Sequence, residues 1–241
     1  MTHLATVISL PDVVLAETMG YAFDAAWIDL EHGSLSARDV APLTVALRAA
    51  GCEAHVRITR AASEALAPAL DAGADAIVLP QAEDPEAVAG LARRLRYPPE
   101  GERGYGPRRA GRDGQRPPVP RLIAQIESPA GVRAAPAIAG HVDLLVIGTA
   151  DLGLRVPAPA LPAAVAEVEA AARAAGAGFG LAGGEPAALL RLCSRPPDLL
   201  VCGVDIKLAA RIADDVAAAA REGLASIGTP APGAGGIDGR W

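Results

Sequence analysis

Lysine is nearly missing from this chain: Lys207 is the only one, and arginine carries the rest of the positive charge. Lys207 opens the last helical stretch, so no strand-like run ends in a lysine. A desolvated amine that condenses with a carbonyl substrate therefore has no candidate. Cysteine is also scarce. Cys52, Cys193 and Cys202 show no C-x-x-C spacing, which argues against a disulfide framework and a thiolate zinc site and fits a reducing cytoplasm. With two Trp, three Tyr and two Phe, the core falls to Val, Leu, Ile and Ala, residues that let helices pack closely on a sheet.

Long apolar runs are absent too. None approaches the ~20 residues of a membrane-spanning helix, and alanine-rich AAVAEVEAAARAAGAG carries Glu and Arg at helical intervals. The opening MTHLATVISLPDVV has no basic start and is cut at Pro11, so neither a signal peptide nor a membrane partner is expected. No G-x-G-x-x-G or G-x-x-x-x-G-K follows the first strand-like run, which removes the sequence argument for a dinucleotide or nucleoside triphosphate. The net charge of −6 leaves no basic surplus to neutralise nucleic-acid phosphates. The cluster Arg93, Arg94, Arg96, Arg103, Arg108, Arg109 and Arg112 is local, and suits a solvated face or a small polyanion.

What is present alternates. Continuously apolar runs, as expected of strands covered on both faces, occur at 5–9, 25–30, 53–58, 76–80, 122–127, 144–148, 178–183 and 199–205. Helical stretches separate them, several opening with Pro, Ser or Asp and closing with Gly. Eight strands in strict alternation predict an α/β protein, a (β/α)8 TIM barrel in one domain over 1–227. The alternative, a doubly wound sheet, more often has five or six strands. A Gly/Pro-rich tail occupies 228–241, and the Pro/Gly/Arg-rich segment 97–120 has the length of a lid or binding loop.

Charges collect where the runs end: Asp29, Glu31 and His32 after AAWIDL, Arg57 in EAHVRI, Glu127 closing LIAQIE, and Asp151 just past LLVIG. Parallel strands of a barrel discharge their functional groups onto one rim, so these residues predict an active site there. Glu127 and Asp151 suit a hard divalent cation, with Arg57 and His32 placed to hold and deprotonate an anionic substrate. Plainer readings stand beside these: Glu127 paired with an arginine, Asp151 as a helix N-cap, His32 as a loop histidine and Arg57 as a rim ion pair. His3, His55 and His141 read as structural.

The segments WIDLEHGSLSARDV, HVRITR, LDAGADAIVLPQAED, RYPPEGERGYGPRRAG, QIESPAGV and IGTADLG occur in the order and spacing of the metal-dependent class II pyruvate aldolases. Over roughly residues 5–210 the chain thus resembles the hydroxy-oxo-heptanedioate aldolase family. The resemblance implies a cytoplasmic barrel, a homo-oligomer (a hexamer or trimer of dimers) with its last helix exchanged between neighbours. It implies a lyase that uses Mg²⁺, Mn²⁺ or Co²⁺ to form a pyruvate enolate and makes or cleaves a 4-hydroxy-2-oxo acid with an aldehyde acceptor. Glu127 and Asp151 match the family's metal carboxylates, and Arg57 the arginine that grips substrate oxygen. His32 matches the base, oriented by Asp71, which in this family reaches across from an adjacent subunit. Gln125, Gly148 and Ala150 match positions lining metal and substrate. Asp29 and Glu31 are expected to fix waters or the geometry behind the ligands, and Arg103 to stand near the mouth.

The chain departs from the family's pattern after Asp151, where GTADLGLRVPAPALP is shorter and proline-rich, and after RRAG, where the loop is compact. Both changes touch the acceptor side. They keep open an oxaloacetate decarboxylase or a specialised biosynthetic enzyme using the same enolate, an acyl-CoA lyase of the citrate lyase β type, and a non-catalytic barrel subunit.

Overall fold

A computed structural model describes residues 1–106, 109–111 and 117–227. The strands β1 (His3–Ile8), β2 (Ala25–Asp29), β3 (Glu53–Arg57), β4 (Ala76–Leu79), β5 (Arg121–Ile126), β6 (Leu144–Gly148), β7 (Gly178–Gly183) and β8 (Leu199–Val204) are all parallel and close into a barrel in sequence order. Every run read as a strand is one, and the doubly wound alternative falls away. The wall divides by residue parity. Ala25, Trp27, Ala76, Val78, Ile123, Val146, Leu199 and Val201 pack on one another inside the barrel. Their neighbours Ala26, Ile28, Val56, Ile77, Leu122, Leu145 and Ile147 pack outward, against the helices. Both faces of each strand are therefore dry, which is why the sequence shows continuous apolar runs instead of alternation.

Helices α1 (Val13–Gly20), α2 (Ala37–Ala49), α3 (Leu66–Ala72), α4 (Pro85–Arg94) and α5 (Pro129–Ile138) follow the first five strands. Their starts are where the sequence signals put them. Asp12, Asp84 and Ser128 cap backbone N–H groups of α1, α4 and α5, and Ser36 forms a capping box with Asp39 at α2. Gly73 closes α3 with φ 85°, a left-handed cap that any side chain would strain. One element was not expected. Residues 149–155, to which the sequence assigns no helix, form α6 (Thr149–Arg155), after which α7 (Leu161–Ala175) leads to β7 and α8 (Pro186–Leu190) to β8.

The segment between α4 and β5 corrects an expectation. An α-to-β connection lies at the N-terminal end of the barrel, and Arg103 is tied there by its N–H to Arg96 O at 2.7 Å and its guanidinium Nη2 to Leu70 O at 3.1 Å. Among the described residues of 97–120, Arg103 therefore sits at the rim opposite the strand-end charges of its own chain. Inside that same end, Arg121 ion-pairs with Glu53, and its Nη2 stands 3.1 Å from His55 Nε2. Burial keeps His55, which is 1% exposed, below its usual imidazole pKa, consistent with its structural reading.

Met1–Asp205 forms one compact unit, closed where Asp205 accepts the N–H groups of Ser9 and Leu10 at 2.9 and 3.0 Å. The sequence reading carried a single domain on to 227. The second unit begins at Ile206 and holds most of α9 (Asp205–Ser226), a helix on which Ile212, Val216 and Leu224 are exposed. The tail 228–241, together with Arg108 and Arg112 of the arginine cluster, lies outside the described residues. No helix among the described residues is long and apolar enough to cross a membrane.

Candidate active site

Asp29 and Arg57 stand opposite each other in the β2–β3 register, both with the parity of the barrel interior and both at its C-terminal end. Their side chains meet as a fork on a fork: Arg57 Nε donates to Asp29 Oδ1 at 2.9 Å and Nη2 to Oδ2 at 2.6 Å. Asp29 Oδ1 also accepts the backbone N–H groups of Glu31 and His32 at 3.0 and 3.3 Å, so the turn after β2 wraps around one carboxylate. Burial alone pushes that carboxyl's pKa up. The Arg57 guanidinium and the two backbone donors outweigh it and hold Asp29 below its usual value. Burial likewise works against the Arg57 charge, but Asp29, Glu31 and Glu127 keep the guanidinium firmly protonated.

With Nε and Nη2 taken, Nη1 is the part of Arg57 turned toward the remaining groups. It lies 3.4 Å from Gln125 Oε1 and 3.3 Å from Glu31 Oε2. Arg57 is thus a rim ion pair with one guanidinium edge fixed on Asp29 and the other turned to Gln125 and Glu31. Below it, the Trp27 ring sits 5.9 Å from Arg57 Cζ and forms an apolar floor.

Glu127 follows β5 and is 3% exposed. Its partner is no arginine: Oε2 accepts the Gln81 N–H at 2.8 Å. Burial pushes its carboxyl from 4.5 up to about 7; the Gln81 N–H is the main pull against it, the charges of Glu31 and Asp151 add to the rise, and Arg57 opposes it. Gly148 closes the other side. A β-carbon there would stand 2.7 Å from Glu127 Cγ and Oε1 and 2.8 Å from Gln125 Nε2, so only glycine lets β6 approach these side chains. Gly148 also caps α6, which makes Asp151 a residue of the first helical turn and not the cap itself. Ala150, just before it, is exposed. At the mouth, Glu31 Oε1 accepts Gln81 Nε2 at 3.0 Å, while Oε2 has no hydrogen-bond partner and faces His32 Nε2 at 3.6 Å. The His32 side chain is 64% exposed and so reachable from the mouth.

Within one chain, two residues assigned by resemblance stay outside this cluster. Asp71 lies in the last turn of α3, the turn that leads to the start of β4 at the opposite rim. Arg103, 5% exposed, lays its guanidinium 4.6 Å from the Tyr97 ring centre. Asp71 and Arg103 instead share a cavity of about 420 Å³ with Leu66, Leu70 and Tyr105. Gln81 was missed, although it directly follows the β4 run. The search followed acids, bases and family matches, and a neutral amide at a strand end raised no flag.

The sum is three carboxyl groups, Asp29, Glu31 and Glu127, around one guanidinium that Asp29 already engages, with Asp151 acting on Glu127. The HpcH/HpaI aldolase/citrate lyase family model matches residues 9–189, a span containing every residue of the cluster. The chain belongs to that family. HpcH/HpaI relatives include a 4-hydroxy-2-oxovalerate aldolase of Rhodococcus jostii (strain RHA1), 33% identical over 173 residues and covering 67% of each chain. A hydroxypyruvate/pyruvate aldolase of Chromohalobacter salexigens is 32% identical over 216 residues, 81% of this chain and 82% of the relative. The crystal structure of an HpcH/HpaI family protein from Burkholderia cenocepacia J2315 superposes with a TM-score of 0.81 at 28% identity, over 91% of this chain and 95% of that one. Membership in this family and its named aldolases make the chain an enzyme, a carbon–carbon lyase of the HpcH/HpaI type.

Proposed function

We propose that the enzyme forms the enolate of pyruvate or a close 2-oxo acid and makes or breaks the C–C bond of a 4-hydroxy-2-oxo acid, with a divalent cation held by Glu127 and Asp151. The observation that carries this is Glu127. It is 3% exposed, burial above all raises its carboxyl to about 7, and the charges of Glu31 and Asp151 add to the rise, so an ionised Glu127 is stabilised by a cation placed beside it. The donors are all oxygens, as Mg²⁺, Mn²⁺ or Co²⁺ prefers, and the missing β-carbon of Gly148 keeps Glu127 Oε1 approachable. When bound, such an ion supplies Lewis acidity that polarises the carbonyl of a 2-oxo acid and acidifies the neighbouring C–H.

The chain's own groups supply the rest. Arg57 Nη1 binds a substrate carboxylate or developing oxyanion, and its position is set by the Asp29 fork, which a lysine would not reproduce. Gln125, 3.4 Å away, lines the same wall, and Ala150 borders it from α6. His32 takes up and returns the proton, its Nε2 standing 3.6 Å from Glu31 Oε2. Asp71 reaches His32 only from a neighbouring subunit, in a homo-oligomer that the exposed apolar residues of α9 support.

Incubation with 4-hydroxy-2-oxovalerate and Mn²⁺, without coenzyme A, tests the reading. Pyruvate release that EDTA abolishes is expected. No release without coenzyme A, and release from an acyl-CoA substrate with it, would move the enzyme to the citrate lyase side of the family.

A further inference from the structure

Gln81 is the non-glycine residue that stands in the left-handed region among the described residues, at φ +49°. There a β-carbon crowds its own backbone, and such conformations persist where surrounding contacts demand them. The contacts here are specific. The left-handed bend sends two donors of one residue to two carboxylates: the backbone N–H to Glu127 Oε2 at 2.8 Å, and side-chain Nε2 to Glu31 Oε1 at 3.0 Å. Each carboxylate is thereby pinned by one oxygen, leaving the other pointed inward. Glu127 Oε1 remains on the Gly148 side, and Glu31 Oε2 remains 3.3 Å from Arg57 Nη1 and 3.6 Å from His32 Nε2.

Arg57 Nη1 meets Glu31 only at Oε2, and Gln81 is the residue that ties the other oxygen of Glu31 to the loop that also holds Glu127. A neutral donor suits the task. A lysine would cancel the negative charge the site gathers, and a carboxylate would add a third repelling group. We propose that Gln81 is a positioning residue, an amide bridge that fixes the rotamers of Glu31 and Glu127. Through Glu31 it sets the alignment of His32 and of the Arg57 Nη1 edge. The consequence for turnover rests on the enolisation reading above; the placement of the two carboxylates does not.

Two variants separate the backbone from the amide. Gln81→Met keeps length and N–H but loses the side-chain donor, and Gln81→Gly also relieves the left-handed strain. Crystal structures of the wild-type and Gln81→Met proteins without metal are expected to show the Glu31 carboxylate swung away in the variant and Glu127 in place. Exchange of pyruvate methyl protons in D₂O with Mn²⁺ is expected to fall about tenfold in kcat in both variants, with KM for pyruvate little changed. Gln81→Gly is expected to melt no lower than the wild type, so its loss is not a folding defect. Glu31 unmoved in Gln81→Met, with kcat at the wild-type level, overturns the proposal. If the wild type exchanges no pyruvate protons, the enolisation reading fails and the two crystal structures alone decide the role of Gln81.

Discussion

At the scale of single residues, Glu127 and Arg57 are bound in opposite ways. Glu127 is raised from 4.5 to about 7, so the folded, metal-free protein keeps a proton there that the unfolded chain releases. That stabilising contribution is complete below about pH 4.5 and is lost as the pH rises through about 7. Glu127→Gln removes the ionisation, and near pH 8 the metal-free variant is expected to be more stable than the parent by about 1–3 kcal/mol. Thermal unfolding at a series of pH values checks this, and an advantage that fails to grow between pH 5 and pH 8 counts against the burial argument. Arg57 works by geometry. Two of its nitrogens are spent on Asp29 and one edge remains, so Arg57→Lys, which keeps the charge and loses the fork, is expected to slow pyruvate enolisation about 100-fold or more. A variant with near-parental exchange would reduce Arg57 to a simple point charge.

At the scale of elements, the barrel was legible because each strand is buried on both faces and each helix carries its own start signal. The strand-end rule then located Asp29, Arg57, Glu127 and Asp151 on one rim. Other parts were less legible for physical reasons. Residues 149–155 include Gly153 and run toward Pro157, and carry no helix signal of their own, yet Gly148 caps them into α6. Asp71 and Arg103 came from resemblance alone. The direction of α3 and of the α4–β5 connection, which parallel topology dictates, sends them to the other end of the barrel. Gln81 was invisible to a search for charge. The junction of β6 and α6 makes its own prediction. Gly148→Ala forces a β-carbon to within 2.7 Å of Glu127, and is expected to cost about 1–3 kcal/mol in denaturant unfolding and to depress activity along with it. An alanine variant of parental stability and activity would show that the approach of β6 to Glu127 is not tight.

At the scale of the whole molecule, a barrel with a net charge of −6 gathers several of its acids at one rim, and its last helix exposes Ile212, Val216 and Leu224. Apolar side chains on a helix face fit contact with a second copy better than contact with water. Sedimentation is expected to show a homo-oligomer that Ile212→Asp with Val216→Asp dissociates. A monomeric parent would leave Asp71 without a route to His32. The central claim is that Glu127 and Asp151 hold a cation that makes a keto acid's methyl group acidic. Proton NMR of pyruvate in D₂O, with the full-length protein and Mg²⁺, tests it without knowledge of the acceptor. The expected result is loss of the methyl signal with the parent, none after EDTA treatment, and a rate about 100-fold lower or less with Glu127→Ala. Undiminished exchange in Glu127→Ala would contradict it.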